Sequence, residues 1–199
     1  MTNLSVFEWI QSDSYLDQCK QQGVSFRKYP QWDLGIAKRK YLSPYDKQHA
    51  WVNACRGLVL NYKTNELLMI PPMKSRDVLT QKKFLKRVSS SEELIDGVMI
   101  NLFYYQDQWF VSTRSTITPL EDVPNLSVPW ATYFVDCSPL LPVSELKPNH
   151  TYSFVMRHTQ NRLTSPIETN ELVLVEVYKE GTRLETLPKL TGIRCPLST

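Results

Sequence analysis

An Asp-Gly step between two apolar runs constrains the fold of this chain more than any other feature. Asp96 and Gly97 interrupt an apolar stretch that predicts a strand over 94–101. A glycine inside a strand pattern marks a β-bulge or a close approach of the backbone to a ligand. The plainer alternative is an ordinary hairpin that happens to contain a glycine. A further extended stretch over 102–105 and then 109–114 follows at once and is the expected partner strand.

The bulk composition indicates a folded protein with an apolar core. The 199 residues are 42% hydrophobic and 11% aromatic, which argues against disorder. That length allows one large domain or two small ones. The apolar runs are too short for a transmembrane helix, and the first residues lack the basic and apolar regions of a signal peptide. We therefore expect an intracellular protein, cytoplasmic or nuclear, that has no membrane partner.

The cysteines and histidines show no spacing typical of a metal site. The four cysteines are scattered without a Cys-x-x-Cys pair, at Cys19, Cys55, Cys137 and Cys195. The three histidines are equally scattered, at His49, His150 and His158. Free, buried thiols in a reducing compartment are the expectation, and a zinc site is disfavoured.

The remaining pattern predicts a single α+β domain over 1–199 in which strands outnumber helices. An amphipathic helix is expected over 4–22, which makes 1–23 an N-terminal helical segment. A second helix is expected over 77–88. Six of the thirteen prolines fall within 118–149, which predicts mostly loop with one short helix. An irregular tail is expected over 188–199. Further strands are predicted at 24–29, 34–41, 54–61, 66–70, 151–157 and 171–178. Short turns between them favour mainly antiparallel sheets with flanking helices.

Basic residues are concentrated between positions 74 and 87. Six cations fall within these 14 residues, opposed by one acidic residue: Lys74, Arg76, Lys82, Lys83, Lys86 and Arg87. Clustered cations attract polyphosphates through counterion release, whereas the plainer alternative is a solvated helix face. Arg56, Arg114 and Arg162 each lie beside an apolar strand. They favour phosphate binding, because an arginine next to a core strand is costly unless it meets an anion.

Six short motifs follow one another along the chain. They are Cys55-Arg56-Gly57-Leu58-Val59-Leu60, Pro72-Met73-Lys74, Leu94-Ile95-Asp96-Gly97-Val98-Met99, Val111-Ser112-Thr113-Arg114-Ser115-Thr116-Ile117, Tyr152-Ser153-Phe154-Val155 with Asn161-Arg162-Leu163, and the strand 171–177. In order and approximate spacing this series resembles the adenylyltransferase domain of ATP-dependent RNA ligases of the bacteriophage tRNA-repair type. The resemblance covers roughly residues 25–180. It implies a nucleotidyltransferase fold whose chemistry is phosphoryl transfer by positioning, cations and magnesium.

The same resemblance implies that the catalytic groups of that family are missing here. In the family, a Lys-x-Asp-Gly motif supplies the lysine that attacks the α-phosphate of ATP and becomes lysyl-AMP. A Phe-Glu-Phe-like strand supplies a carboxylate to the nucleotide. The lysine position corresponds to Leu94, which has no nucleophilic atom, and the glutamate position corresponds to Ser153. The family's last two motifs, a second glutamate strand and a Lys-x-Lys strand, find no counterpart after about residue 180. The resemblance therefore implies no catalytic residue and no metal ligand.

A set of matching residues is retained and is expected to form a cationic cleft. The residues expected to bind nucleotide or phosphate are Arg56, Lys74, Asp96, Gly97, Arg114, Asn161 and Arg162. The residues expected to contact RNA are Lys82, Lys83, Lys86 and Arg87.

Three functions remain open at this point, and whether the chain is an enzyme is open with them. The first is a catalytically degenerate RNA ligase-like protein that binds RNA or a nucleotide through the cleft and requires no cofactor. The second is an active ATP-dependent RNA ligase or nucleotidyltransferase, using ATP and Mg²⁺ and completed by a partner or a longer chain. The third is a protein–protein interaction module on the same scaffold. RNA is the expected partner in the first two and a protein in the third.

Overall fold

The computed structural model describes residues 6–40, 49–73, 91–161, 164 and 166–197. In these ranges the α-helices are α1 (Val6–Ile10), α2 (Tyr15–Gln21), α3 (Ala50–Ala54) and α4 (Pro129–Cys137). Short 3-10 turns occupy Pro30–Trp32, Leu120–Asn125 and Val143–Glu145. The strands are β1 (Val24–Tyr29), β2 (Leu34–Arg39), β3 (Arg56–Asn61), β4 (Glu66–Met69), β5 (Val98–Tyr105), β6 (Gln108–Ser112), β7 (Ile117–Pro119), β8 (His150–Arg157), β9 (Glu171–Lys179) and β10 (Thr182–Arg183). None of the helices in these ranges is long and apolar enough to cross a membrane.

The strands form two antiparallel sheets. The first sheet has the order β1-β2-β3-β4 and the second has the order β10-β9-β8-β5-β6-β7. Every pairing between these strands is antiparallel, and the helices flank the sheets. The prediction of an α+β protein with mainly antiparallel sheets is therefore confirmed.

Three apolar clusters separate the layers of this fold. Helices α1 and α3 cover the outer face of the first sheet, where the rings of Trp9 and Trp51 stack with centroids 4.3 Å apart. A middle cluster joins the inner faces of the two sheets and includes Val59 and Phe103. A third cluster packs α4 against the far face of the second sheet through Phe134. The two sheets therefore face each other, and a binding site is expected where a gap opens between them.

The single helix predicted over 4–22 is two helices in the structure. Helix α1 ends at Ile10 and α2 begins at Tyr15. Between them the hydroxyls of Ser12 and Ser14 lie 3.0 Å apart, and the Gln18 amide donates to both at 3.0 and 3.1 Å. Serine side chains that bond locally compete with the helical backbone and favour turns. This local bonding accounts for the break, although the apolar spacing runs through it.

The strand expected over 94–101 begins later and runs further than predicted. Strand β5 starts at Val98, where its pairing with β8 begins opposite Met156, and it continues without a break to Tyr105. Gln106 and Asp107 then turn the chain with φ of 48° and 59°. Two successive left-handed residues are the signature of a type I′ hairpin turn. The apolar residues before Gly97 were wrongly assigned to the strand, because apolar character alone does not show where pairing starts. The helix predicted over 77–88 lies outside the described residues.

Candidate functional site

A cleft of ≈ 560 Å³ lies where the end of the first sheet meets the second sheet. Its lining combines two arginines and one tryptophan with mainly apolar residues. The full lining is Arg56, Pro71, Pro72, Ile95, Gly97, Val98, Met99, Thr113, Arg114, Trp130 and Val155. Three residues predicted from the sequence, Arg56, Gly97 and Arg114, are therefore brought together.

Gly57 allows the two sheets to approach closely at this cleft. Its φ of +109° is in the left-handed region, and a Cβ placed there would lie 2.7 Å from the carbonyl oxygen of Thr113 and 3.0 Å from the Cα of Arg114. A side chain at this position would force β3 away from the end of β6. The glycine therefore brings the backbone of Arg56 next to that of Arg114.

The charge of Arg114 acts on Arg56. Partial desolvation lowers the pKa of Arg56, and the neighbouring charge of Arg114 lowers it further. Two like charges in a partly desolvated place repel each other, and an anion between or beside them offsets that repulsion. The pair is therefore suited to bind a phosphate or carboxylate.

Local hydrogen bonds fix the segment that carries Arg114. One Arg114 guanidinium nitrogen donates to the carbonyl oxygen of Arg39 at 2.9 Å, which ties the second sheet to the first. The Thr113 hydroxyl accepts from the backbone nitrogens of Ser115 and Thr116, each at 3.2 Å. Such a side-chain-to-backbone turn holds the β6–β7 connection in one conformation. Arg114 is thus held at the edge of the cleft before any ligand arrives.

Gly97 lies in close contact with the neighbouring strand β8. A Cβ on Gly97 would lie 2.4 Å from the carbonyl oxygen of Met156 and 2.6 Å from Cγ1 of Val155. The group that Gly97 approaches is strand β8, so the predicted close approach to a ligand stays a prediction. The glycine lets the start of β5 lie flat against β8 and form one wall of the cleft.

Asp96 and Asn161 are described residues whose side chains are not among the cleft lining. The Asp96 carboxylate accepts from the backbone nitrogen and the hydroxyl of Thr164, at 2.9 and 2.5 Å. Asn161 is half-buried, and its backbone nitrogen donates to the carbonyl oxygen of His158 at 2.8 Å. The contacts seen for both residues anchor the loop after β8, so their predicted role toward a nucleotide stays a prediction. The other predicted site residues lie outside the described part of the chain: Lys74, Lys82, Lys83, Lys86, Arg87 and Arg162.

The two positions that the resemblance matches to catalytic groups hold side chains that cannot supply them. Leu94 precedes β5 with 92% of its surface exposed, and it is not part of the cleft lining. Ser153 is 3% exposed, and its hydroxyl donates to the Asn101 side-chain oxygen at 2.8 Å. The first position offers no nucleophile, and the hydroxyl at the second already has a partner within the sheet.

A buried polar row crosses the second sheet on the face toward the first sheet, and the sequence did not reveal it. Ser112, Asn101, Ser153 and Glu176 are register partners on four adjacent strands, and each is at most 8% exposed. Glu176 forms an ion pair with Arg183, yet burial raises its pKa above the ordinary value. The row is adjacent in register to Met99 and Val155, so it lies at the inner end of the cleft.

An ion-pair network that the sequence also did not reveal holds the C-terminal tail. Arg194 donates to Glu171 and Glu93, in both cases at 2.9 Å, and Arg157 also pairs with Glu171. Burial raises the pKa of Glu171, but the hydrogen bonds from Arg194 and Arg157 outweigh this and lower it overall. The backbone nitrogen of Glu93 donates to the carbonyl oxygen of Leu197 at 2.8 Å. The tail therefore anchors the segment that leads into the cleft wall.

A histidine–aspartate contact lies beyond the end of β8. The His158 ring is 3% exposed, stacks on Tyr133 with centroids 4.2 Å apart, and places Nε2 3.1 Å from the Asp136 carboxylate. Its Nδ1 accepts from the backbone nitrogen of Gln160 at 3.1 Å, which assigns the ring proton to Nε2. This arrangement fixes α4 to the end of β8. No local spacing in the sequence relates the two residues, so only the fold could show the contact.

Comparison with solved structures gives a weak likeness. No protein-family model matches this sequence, and no curated protein matches it. Among solved structures the chain is similar to a "Putative ATP-dependent DNA ligase from Aquifex aeolicus", with 15% sequence identity and a TM-score of 0.48. The match covers 84% of this chain and 43% of that chain, so this chain spans less than half of that protein's length. A likeness at this level does not establish a common fold, and the α+β class rests on the two antiparallel sheets themselves.

Proposed function

We propose that this protein is a catalytically degenerate, RNA ligase-like nucleotidyltransferase that binds RNA or a nucleotide through the cleft between its sheets. The observation that carries the proposal is the placement of Arg56 beside Arg114 in that cleft. Like charges held together in a partly desolvated site are stabilised by an anion, and phosphate suits the guanidinium geometry. Trp130 adds a ring on which a base can stack. We place the protein in the cytoplasm or nucleus, where its four free cysteines would stay reduced.

Binding without covalent chemistry follows from the positions that lack catalytic groups. A lysyl-nucleotide intermediate requires an amine close to the α-phosphate. Leu94 has no such group and is exposed outside the cleft, and Ser153 cannot replace a carboxylate. The proposed protein therefore needs no cofactor, and ATP is a ligand of the cleft that is not consumed.

The first experiment asks whether any covalent step survives. The protein is incubated with Mg²⁺ and ATP labelled at the α-phosphate, then denatured and separated by electrophoresis. We expect no label on the protein. A label that stays on the denatured protein but is released by acid, as expected for a lysyl phosphoramidate, would overturn the degenerate part of the proposal and favour an active ligase. The same assay repeated with GTP shows whether another nucleotide reacts.

The second experiment measures binding and its dependence on salt. A single-stranded RNA and ATP are each titrated against the wild type, Arg56→Gln and Arg114→Gln. Removing an arginine that contacts an RNA phosphate should reduce the magnitude of the slope of log K against log salt by about 0.7. Lys147→Gln is the matched control, because Lys147 is exposed and precedes the opposite end of β8. If neither RNA nor nucleotide binds, the proposal fails and the scaffold is better read as a protein-interaction module.

A further inference from the structure

Three cations on adjacent strands of the first sheet form a strip that leads into the cleft. Lys38 on β2 is the register partner of Arg56 on β3 and of Ser25 on β1. Arg27 lies two residues beyond Ser25 and therefore on the same face of β1. We call Arg27, Lys38 and Arg56 the first-sheet strip. Directly opposed side chains on neighbouring strands are roughly 5 Å apart and diagonal ones roughly 7–8 Å apart, so the strip is continuous.

The face that carries the strip is the one turned toward the second sheet. Ile36 lies on the same face of β2 as Lys38 and is 1% exposed in the cluster between the sheets. Beside the strip, the second sheet no longer covers this face: Arg27 and Arg56 are exposed and Lys38 is half-exposed. The strip thus begins where the second sheet stops covering the first. Its inner end is Arg56, which already lines the cleft.

The charge of this strip is uncompensated within strands β1, β2 and β3. Strands β1, β2 and β3 together contain five basic residues and no acidic one. In the described part of the chain, no carboxylate forms an ion pair with any member of the strip. Like charges directly opposite each other, as at Lys38 and Arg56, destabilise a sheet. The arrangement therefore costs stability in the free protein and is relieved when an extended anion binds.

Protection of a sheet edge does not explain the strip. Charges on an edge strand commonly prevent pairing with another chain, and this accounts for Arg27 on β1. Lys38 is on β2 and Arg56 is on β3, and both strands are paired on two sides. Two of the three cations therefore need another reason, and they share the face that opens into the cleft.

We propose that the first-sheet strip carries the phosphate backbone of a single-stranded nucleic acid whose terminal nucleotide occupies the cleft. The inference rests on the proposed function and extends it from one nucleotide to a strand. A row of cations at strand spacing follows a backbone without reading its sequence. Tyr29 lies on the same face, its ring centroid 5.4 Å from the Arg27 guanidinium carbon and 6.0 Å from the Trp32 ring. Both rings are half-buried against the cluster between the sheets, and the Tyr29 hydroxyl accepts from the Ile117 nitrogen at 3.1 Å, so this aromatic pair positions Arg27 where the cover of the second sheet ends.

The test compares the double variant Arg27→Gln/Lys38→Gln with a control on the same strand. Lys28→Gln is the control, because Lys28 lies on the opposite face of β1 with its Nζ 4.6 Å from the Tyr62 ring centroid. The probes are a labelled mixed-sequence single-stranded RNA of about 12 nucleotides, the same strand as a duplex, and ATP. Anisotropy is followed at several salt concentrations, and circular dichroism checks that each variant is folded. If the double variant does not fold, Lys38→Gln alone is measured.

We expect the double variant to bind the single strand at least tenfold more weakly than the wild type at about 0.1 M salt. Its slope of log K against log salt should fall by about 1.4, from two phosphate contacts at about 0.7 each. ATP binding and the Lys28→Gln control should be unchanged. Three results would overturn the proposal that the strip binds a single strand, while leaving the proposed binding in the cleft in place. They are equal binding by the double variant and the wild type, an equal loss in the Lys28→Gln control, and a duplex bound as tightly as the single strand. A wild type that binds neither RNA nor ATP would overturn the proposed function itself.

Discussion

Replacing Gly97 by alanine is the sharpest test of how the cleft is built. The added Cβ would lie 2.4 Å from the Met156 carbonyl oxygen and 2.6 Å from Cγ1 of Val155, both below the 3.0 Å that Cβ contacts essentially never cross. The nearer atom belongs to the backbone of β8, and Met156 is held there by its pairing with Val98. A rotamer change in Val155 can relieve one contact only. The start of β5 must therefore move away from β8, and this movement changes the shape of the cleft that both strands line.

Two effects of opposite sign decide the magnitude for Gly97→Ala. Alanine restricts the unfolded chain and stabilises a protein by about 0.4–1 kcal/mol where it fits without strain. Overpacking at a tight contact destabilises by about 1–3 kcal/mol. The second effect is larger, so we expect a net loss of roughly 1–2 kcal/mol and a melting temperature lower by roughly 2–8 °C for a chain of this size.

The assay for this variant is urea unfolding together with RNA binding. Gly23→Ala is the comparison, because its Cβ would meet nothing closer than 3.7 Å although its φ is +67°. It carries the left-handed strain without the clash, so it should lose stability by about 1 kcal/mol or less and keep full RNA binding. A Gly97→Ala protein as stable as the wild type, with RNA affinity unchanged, would refute the claim that this contact shapes the cleft.

Three further outcomes follow from other residues. Arg194→Met removes the common partner of Glu93 and Glu171, and it should cost roughly 1 kcal/mol after allowing for solvent screening, with faster amide exchange at Glu93 as the readout. Burial raises the folded-state pKa of Glu176, so the stability from its bound proton is present below the unfolded pKa of about 4.3 and is lost as pH rises through the folded pKa. The free energy of unfolding of Glu176→Gln, relative to that of the wild type, should therefore increase when the pH is raised from about 4 to about 7. Urea unfolding at both pH values measures this difference. Leu94→Lys should form no labelled nucleotide adduct, because the position is 92% exposed and outside the cleft lining.

Local features of the sequence were sufficient to predict much of the fold. Strand β1 was predicted with its observed bounds, because Pro30 ends an extended run that Gly23 precedes. The importance of Gly97 was also visible, since a glycine between apolar runs is unusual in a strand. Arg56 and Arg114 were predicted to bind phosphate from their places beside apolar strands, and the structure brings both to one cleft. Each of these features depends on residues close together in the chain.

The features that were missed depend on strand register and on contacts between distant segments. The polar row from Ser112 to Glu176 requires four strands to be aligned, and a slip of one residue would turn a side chain to the other face. The register also shifts between Ser153 and Phe154, which no local pattern predicts. The network around Arg194 joins residues about a hundred positions apart, to Glu93. A single sequence contains no signal for either arrangement.

The register shift in the first sheet connects the cleft to the strip. Ala37 pairs with Leu58, but the next residue, Lys38, pairs with Arg56, so Gly57 is left over as a bulge. Without the bulge, Arg56 would pair one residue further along and point to the face covered by the helices. The same glycine conformation that lets the sheets meet at Thr113 thus also turns Arg56 toward the cleft and opposes it to Lys38. A β-branched residue at position 57 would separate the sheets and remove the cation from the strip together, because one backbone conformation produces both.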